Sequence, residues 1–142
     1  MAKWDELRAA TLARLAREDE HTLLIEIYLE EGEVGRALET LKQMQGTSRW
    51  LWGSDRLAVE VAQAAEKEQP REAIRLYTEA AERLIAGRGR GNYATAATYL
   101  TRVRDLYRRL DAAATWETTI TRLRESNPRL RALKDELNKA GL

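Results

Sequence analysis

Ten arginines fall between residues 88 and 131: Arg88, Arg90, Arg102, Arg104, Arg108, Arg109, Arg122, Arg124, Arg129 and Arg131. Over the same stretch only Asp105, Asp111, Glu117 and Glu125 oppose them. A guanidinium is always charged and presents its N–H donors in a flat fork that matches a carboxylate or a phosphate. The chemistry of such a cluster is anion recognition, and two ligand classes fit it, an acidic protein partner or the phosphates of a nucleic acid. The candidate face comprises Arg88, Arg90, Arg102, Arg104, Arg108, Arg109, Arg122 and Arg124. The plainer alternative is a set of solvated helix faces, with arginine stems lying on apolar surface and their heads paired to nearby acids.

Two of these arginines sit in "GRGRGNY", residues 87–93. A dinucleotide fingerprint is G-x-G-x-x-G placed after a strand. Here G-x-G-x-G follows a helical pattern, and a Walker loop would need a Gly-Lys pair that the chain lacks. An arginine–glycine binding segment has many repeats, not two. What remains is a helix C-cap and a mobile connector whose Arg88 and Arg90 extend the basic surface. Trp50 and Trp52 alternate within "TSRWLWGSD", so they face opposite ways. One of them is a candidate interaction anchor, because aromatic side chains often carry interface energy; core or inter-hairpin packing is the alternative. His21 beside Glu18, Asp19 and Glu20 reads as a helix-capping neighbourhood, not a metal site. With one histidine and no cysteine, no hydroxyl side chain has an evident base partner. The chain is therefore expected to be no enzyme, with no catalytic residue, metal or cofactor.

The elements that must position these residues are helices. The chain has 142 residues, 44% apolar and 33% charged, with two prolines and no phenylalanine. That composition suits one folded helical domain over residues 1–142. No apolar run approaches the ~18 residues of a membrane span. The start "MAKWDELRAA" lacks the layout of a signal peptide, and the absence of cysteine suits a reducing cytoplasm. The charge is uneven: residues 1–70 carry 9 basic and 14 acidic side chains, residues 71–142 carry 15 and 9. Such a dipole can orient partners or bring copies together head to tail.

Apolar residues recur every three or four positions nearly throughout, which predicts eight helices over about 3–17, 21–31, 33–45, 55–68, 70–86, 92–110, 113–126 and 128–140. The first aligns Trp4, Leu7, Leu12 and Leu15; the second carries Leu24, Ile27 and Tyr28 and stops at Gly32. The third uses Val34, Ala37, Leu38, Leu41 and Met44 and stops at Gly46; the fourth has Leu57, Val59 and Val61. Pro70 suits the first turn of the fifth, whose stripe is Ala73, Leu76, Tyr77, Ala80 and Leu84. The sixth is the most regular, with Ala96, Leu100, Val103, Tyr107 and Leu110, so Arg102, Asp105 and Arg109 project away from its core face. The seventh bears Trp116, Ile120 and Leu123, and the eighth Leu130, Leu133 and Leu137.

Sliding Ala37 onto Ala73 brings Leu38 onto Ile74 and Leu41 onto Tyr77, an offset of 36 residues. A third copy puts Tyr107 on Tyr28 and Ile120 on Leu41. A small residue just after a tight turn, at a period near 34–40, is the signature of stacked helical hairpins of the tetratricopeptide type. The expected fold is all-α, a stack of about four antiparallel hairpins.

The segments "WDELRAATLARLARE", "LLIEIYLEEGEVGRAL", "AAEKEQPREAIRLYTEAAERLI", "YATAATYLTRVRDLYRRL" and "TWETTITRLRESNPRLRALKDEL", followed by "NKAGL", resemble the C-terminal helical region of bacterial SWIM zinc-finger proteins. They come in that family's order and cover nearly the whole chain. The cysteine- and histidine-containing zinc module of that family lies upstream of this region and is not in this sequence. The resemblance implies a helical part with no catalytic activity. The expected function is a helical-repeat interaction module that binds a protein or peptide or associates with itself. An auxiliary nucleic-acid-binding role for the arginine-rich half is the alternative.

Overall fold

The structure is a computed structural model that describes residues 5–11, 21–45 and 55–142. Every regular element among them is an α-helix, as the periodicity predicts. Helix α1 covers residues 5–11, α2 His21–Glu30, α3 Val34–Gln45, α4 Asp55–Ala65, α5 Pro70–Gly87, α6 Arg90–Arg109, α7 Ala113–Ser126 and α8 Arg131–Lys139. Two compact units result, Met1–Ala64 and Ala65–Leu142.

In the first unit α2 packs against α3. Leu24 and Ile25 are buried on α2, and Val34, Ala37, Leu38 and Leu41 on α3. The turn between them is closed by the Glu33 N–H donating to the Tyr28 carbonyl at 2.8 Å, with Gly32 at φ +76°. That is a six-to-one helix-end bond whose left-handed residue is glycine for steric reasons. Leu7, expected on an apolar stripe, is 63% exposed. Its neighbour Arg8 explains this: Arg8 reaches Glu31 and Glu33 at the α2–α3 turn, which sends Leu7, about 100° round the helix, outward. Trp4, Leu12, Leu15 and the side chain of Met44 lie outside the described residues.

The second unit is built on α6. It packs against α5, α8 and α7, and so buries two adjoining stripes: Tyr93, Ala96, Leu100, Val103 and also Ala97 and Leu106. A period-based reading finds one stripe, which is why Tyr107 and Leu110 were expected in the core and are only half-buried. Helix α5 opposes α6 with Ala73, Leu76, Tyr77, Ala80 and Ala81, and uses Ile85 where Leu84 was expected. The Tyr77 and Tyr99 rings meet with centroids 5.9 Å apart. Trp116, Ile120 and Leu123 of α7 and Leu133 and Leu137 of α8 are buried, while Leu130 is half-buried.

The internal repeat has a structural counterpart. Ala37 and Ala73 are each the fourth residue of their helix and each fully buried. Trp116 holds the same position in α7 and is also buried, so the third copy fills with an indole the place where the others have a methyl group. Tyr107, aligned with Tyr28, likewise accepts a 2.8 Å bond from five residues on, the Ala112 N–H. Asp111, at φ +56°, stands there in place of a glycine.

Candidate functional site

The helix directions in the second unit follow from side-chain contacts. Arg90, at the start of α6, reaches Glu136 in α8 at 3.1 Å, and Arg104 near its end lies against Gly141 just past α8. So α6 and α8 run parallel, and α5 and α7, each joined to its successor by a short turn, run the other way. The α5–α6 and α7–α8 turns therefore share one end of the unit.

The "GRGRG" stretch is tighter than a mobile connector. Helix α5 runs through Gly87 and α6 begins at Arg90, leaving Arg88 and Gly89 as the whole joint. The Arg88 N–H donates to Ile85 C=O, the Asn92 side-chain amide to Arg88 C=O, and the Tyr93 N–H to Gly89 C=O. Gly89 is at φ +110°, a region open to glycine. Arg88, at φ 57° and ψ 162°, sits where nearly all residues are glycine.

Five of the eight candidate arginines bind other parts of the same unit. Arg102 reaches the Glu66 carboxylate at 3.1 Å, and Arg109 donates to the Glu66 carbonyl at 2.5 Å. These two do share a face, as the spacing predicts, and Glu66 in the turn after α4 meets both, although both arginines stay exposed. Glu66 also accepts the Tyr77 hydroxyl at 2.8 Å. Burial first, then that hydrogen bond to a carboxylate, pushes the Tyr77 phenol well above its ordinary pKa. Arg90 takes Glu136 and lies near Asp135; Arg104 meets Asp105; Arg124 donates to Asn138 at 3.1 Å and to the Leu142 carbonyl. Arginines at helix ends satisfy carbonyls that the helix leaves open. No single basic face gathers all eight.

The guanidinium groups of Arg88, Arg108 and Arg122 have no hydrogen-bonding or ionic partner among the described residues. Arg88 and Arg108 stand free at opposite ends of α6's neighbourhood, whereas Arg122 overhangs a groove. Two adjoining recesses, of about 340 and 240 Å³, run between α5 and α7. Both are lined by Glu82, Thr119 and Arg122. The first continues toward Arg71, Ile74, Thr78 and the Tyr107 ring; the second toward Ile85, Ala86, Leu123, Ser126 and Asn127. Arg71, on the far lip, is also unpaired among the described residues, a residue that a scan confined to 88–131 misses. Arg75, beside it, is tied to Glu72 and Glu79.

A wider furrow of about 730 Å³ runs between α6 and α8, floored by Ala94, Ala97, Thr98 and Thr101. Its charges already have partners: Arg102 with Glu66, Asp105 with Arg104, and Glu136 with Arg90 and Lys139. Several threonines of α6 and α7 donate back to carbonyls four residues earlier, Thr98 to Ala94, Thr101 to Ala97 and Thr119 to Thr115. Those hydroxyl protons are engaged within their own helices.

Trp50 and Trp52, the candidate anchors, and the acids beside His21 lie outside the described residues, as does the His21 side chain. Among the described residues no three carboxylate or imidazole groups converge to hold a metal ion, and no helix is long and apolar enough to cross a membrane. No protein-family model, curated protein or solved structure matches the chain.

Proposed function

We propose that the chain is a non-catalytic helical-hairpin interaction module that takes a peptide segment of another protein in the α5–α7 groove. The observation that carries this reading is Arg122, a guanidinium without a partner among the described residues, which lines the recesses that form the groove. Its other walls mix apolar surface (Ile74, Ile85, Leu123) with polar and charged groups, among them Arg71, Glu82 and the Arg75–Glu79 pair, a mixture that lets a groove bind and orient a chain. Parallel α5 and α7 with α6 behind them are also the arrangement of a tetratricopeptide-like stack, in which alternate helices line the inner face. In this reading the chain is the helical part of a SWIM zinc-finger-type protein, an assignment supported by the order of its segments. Nucleic-acid binding through the arginine-rich half is the weaker reading, because Arg90, Arg102, Arg104, Arg109 and Arg124 already have partners within the unit.

The test is selection of displayed random peptides on the full chain, followed by groove blocking. Thr119→Trp fills the groove between α5 and α7, while Thr98→Trp occupies the α6–α8 furrow. Selected peptides are expected to lose binding to the first variant and keep it for the second. Binding that survives Thr119→Trp, or no enrichment at all, refutes the reading.

A further inference from the structure

Resting on that reading of the groove, we infer that its occupant is an acidic peptide, whose carboxylates are held by Arg122 inside the groove and by Arg88 and Arg129 at its open end. The groove has a direction. At one end it opens between Ala86 and Asn127, the last residues of the recess before the two turns. Arg88 lies two residues beyond Ala86 and Arg129 two beyond Asn127, both exposed and both unpaired among the described residues. Arg122 thus lines the recess, and Arg88 and Arg129 stand on the two turns just past its end, none of the three guanidinium groups having a partner among the described residues. Against them stand Glu82 within the groove, Glu79 there paired with Arg75, and Glu117 and Glu125, which line a neighbouring recess with Arg122.

The length also fits. From Arg71 to Ala86 the α5 wall is about 22 Å at the helical rise per residue. That accommodates about seven residues of extended chain. A short peptide meets Ile74 and Ile85 with apolar side chains and the arginines with acidic ones, so affinity and direction come from different parts of the same segment. The surface is a poorer match to nucleic acid. Single-strand binders interleave basic groups with exposed aromatic faces for stacking. Here Tyr93 and Trp116 are buried and Tyr107 is half-buried at the groove floor.

The experiment uses the full chain and labelled peptides long enough to span the groove, one of alternating leucine and glutamate, its leucine–glutamine counterpart, and a single-stranded oligothymidylate. The glutamate peptide is expected to bind about tenfold or more tightly than the glutamine peptide, a difference typical of charge-assisted hydrogen bonds. Arg122→Gln is expected to remove most of that preference, and Arg88→Gln with Arg129→Gln the rest, with helical content unchanged by circular dichroism. Equal binding of the two peptides, still blocked by Thr119→Trp, overturns the inference and leaves the groove reading standing. Binding of both that ignores Thr119→Trp overturns the groove reading as well. Oligothymidylate bound through Arg88 and Arg129 more tightly than the glutamate peptide overturns the inference in favour of a nucleic acid.

Discussion

Replacing Tyr77 by phenylalanine tests the junction between the turn after α4 and helix α6. The ring is fully buried, and its hydroxyl donates to Glu66 at 2.8 Å while Arg102 holds the same carboxylate. Hydrogen bonds to charged groups contribute about 1.5–3 kcal/mol. Glu66 keeps Arg102 and some solvent in the variant, so the loss at pH 7 belongs at the low end, about 1.5 kcal/mol. The pH dependence gives a second handle. In the unfolded chain the phenol ionises near pH 10, whereas in the folded chain its pKa is raised. Above pH 10 the folded state therefore holds the extra proton, and tyrosine's contribution falls by up to about 1.4 kcal/mol per pH unit. Phenylalanine has no such proton, so the two proteins should converge in stability near pH 11, about one unit above the unfolded pKa. Urea unfolding followed by helical circular dichroism at several pH values measures both effects. A variant as stable as the parent at pH 7, or a difference that stays constant up to pH 11, refutes the reasoning.

Two further perturbations probe the other contacts. The hydrogen bond from Arg8, with the favourable charge, lowers the Glu31 pKa, so the pair stabilises the first unit above the ordinary carboxylate pKa of 4.5 and loses that effect as pH falls through the lowered value. Arg8→Ala should return the Glu31 titration, followed by carboxyl NMR, to the ordinary range; an unmoved titration counts against the contact. At the α5–α6 joint, Arg88→Gly should raise the thermal midpoint by relieving a backbone that costs about 1–3 kcal/mol for a non-glycine residue, and Gly89→Ala should lower it by a similar amount. The same sign for both, by calorimetry, would overturn the account of that turn.

The helices were legible because burial follows a period. Pro70 and Gly32 mark a start and a stop that local chemistry dictates, and the bounds of α5, α6 and α7 lie within two residues of those read from the pattern. Where a helix touches several neighbours the pattern runs out. Leu106 and Ile85 are buried, and Tyr107 and Leu84 less so, because α6 and its partners meet over an arc wider than one stripe. The basic face was legible as composition and not as geometry. Spacing along α6 correctly put Arg102 and Arg109 on one side, yet nothing in that helix says that Glu66, 36 residues before Arg102, would bond to both. Arg71 was invisible for the converse reason: its role comes from α7, nearly fifty residues on in sequence. Local periodicity tells which side of a helix turns outward, and only the tertiary arrangement tells what meets it there.

The two-residue joint between α5 and α6 bears on how a ligand would be received. With Arg88 and Gly89 bonded on both sides and no slack between the helices, the α5 wall and the Tyr107 floor are tied together by a two-residue joint. The longer passage from Asn127 to Leu130, beyond the opposite wall, is closed by the Leu130 N–H on the Asn127 carbonyl at 3.3 Å and the Asn127 side-chain amide on the Leu123 carbonyl at 2.9 Å. A recess with one fixed jaw is already shaped before anything enters it. Less conformational freedom then has to be surrendered on binding, and a modest set of contacts suffices for a usable affinity.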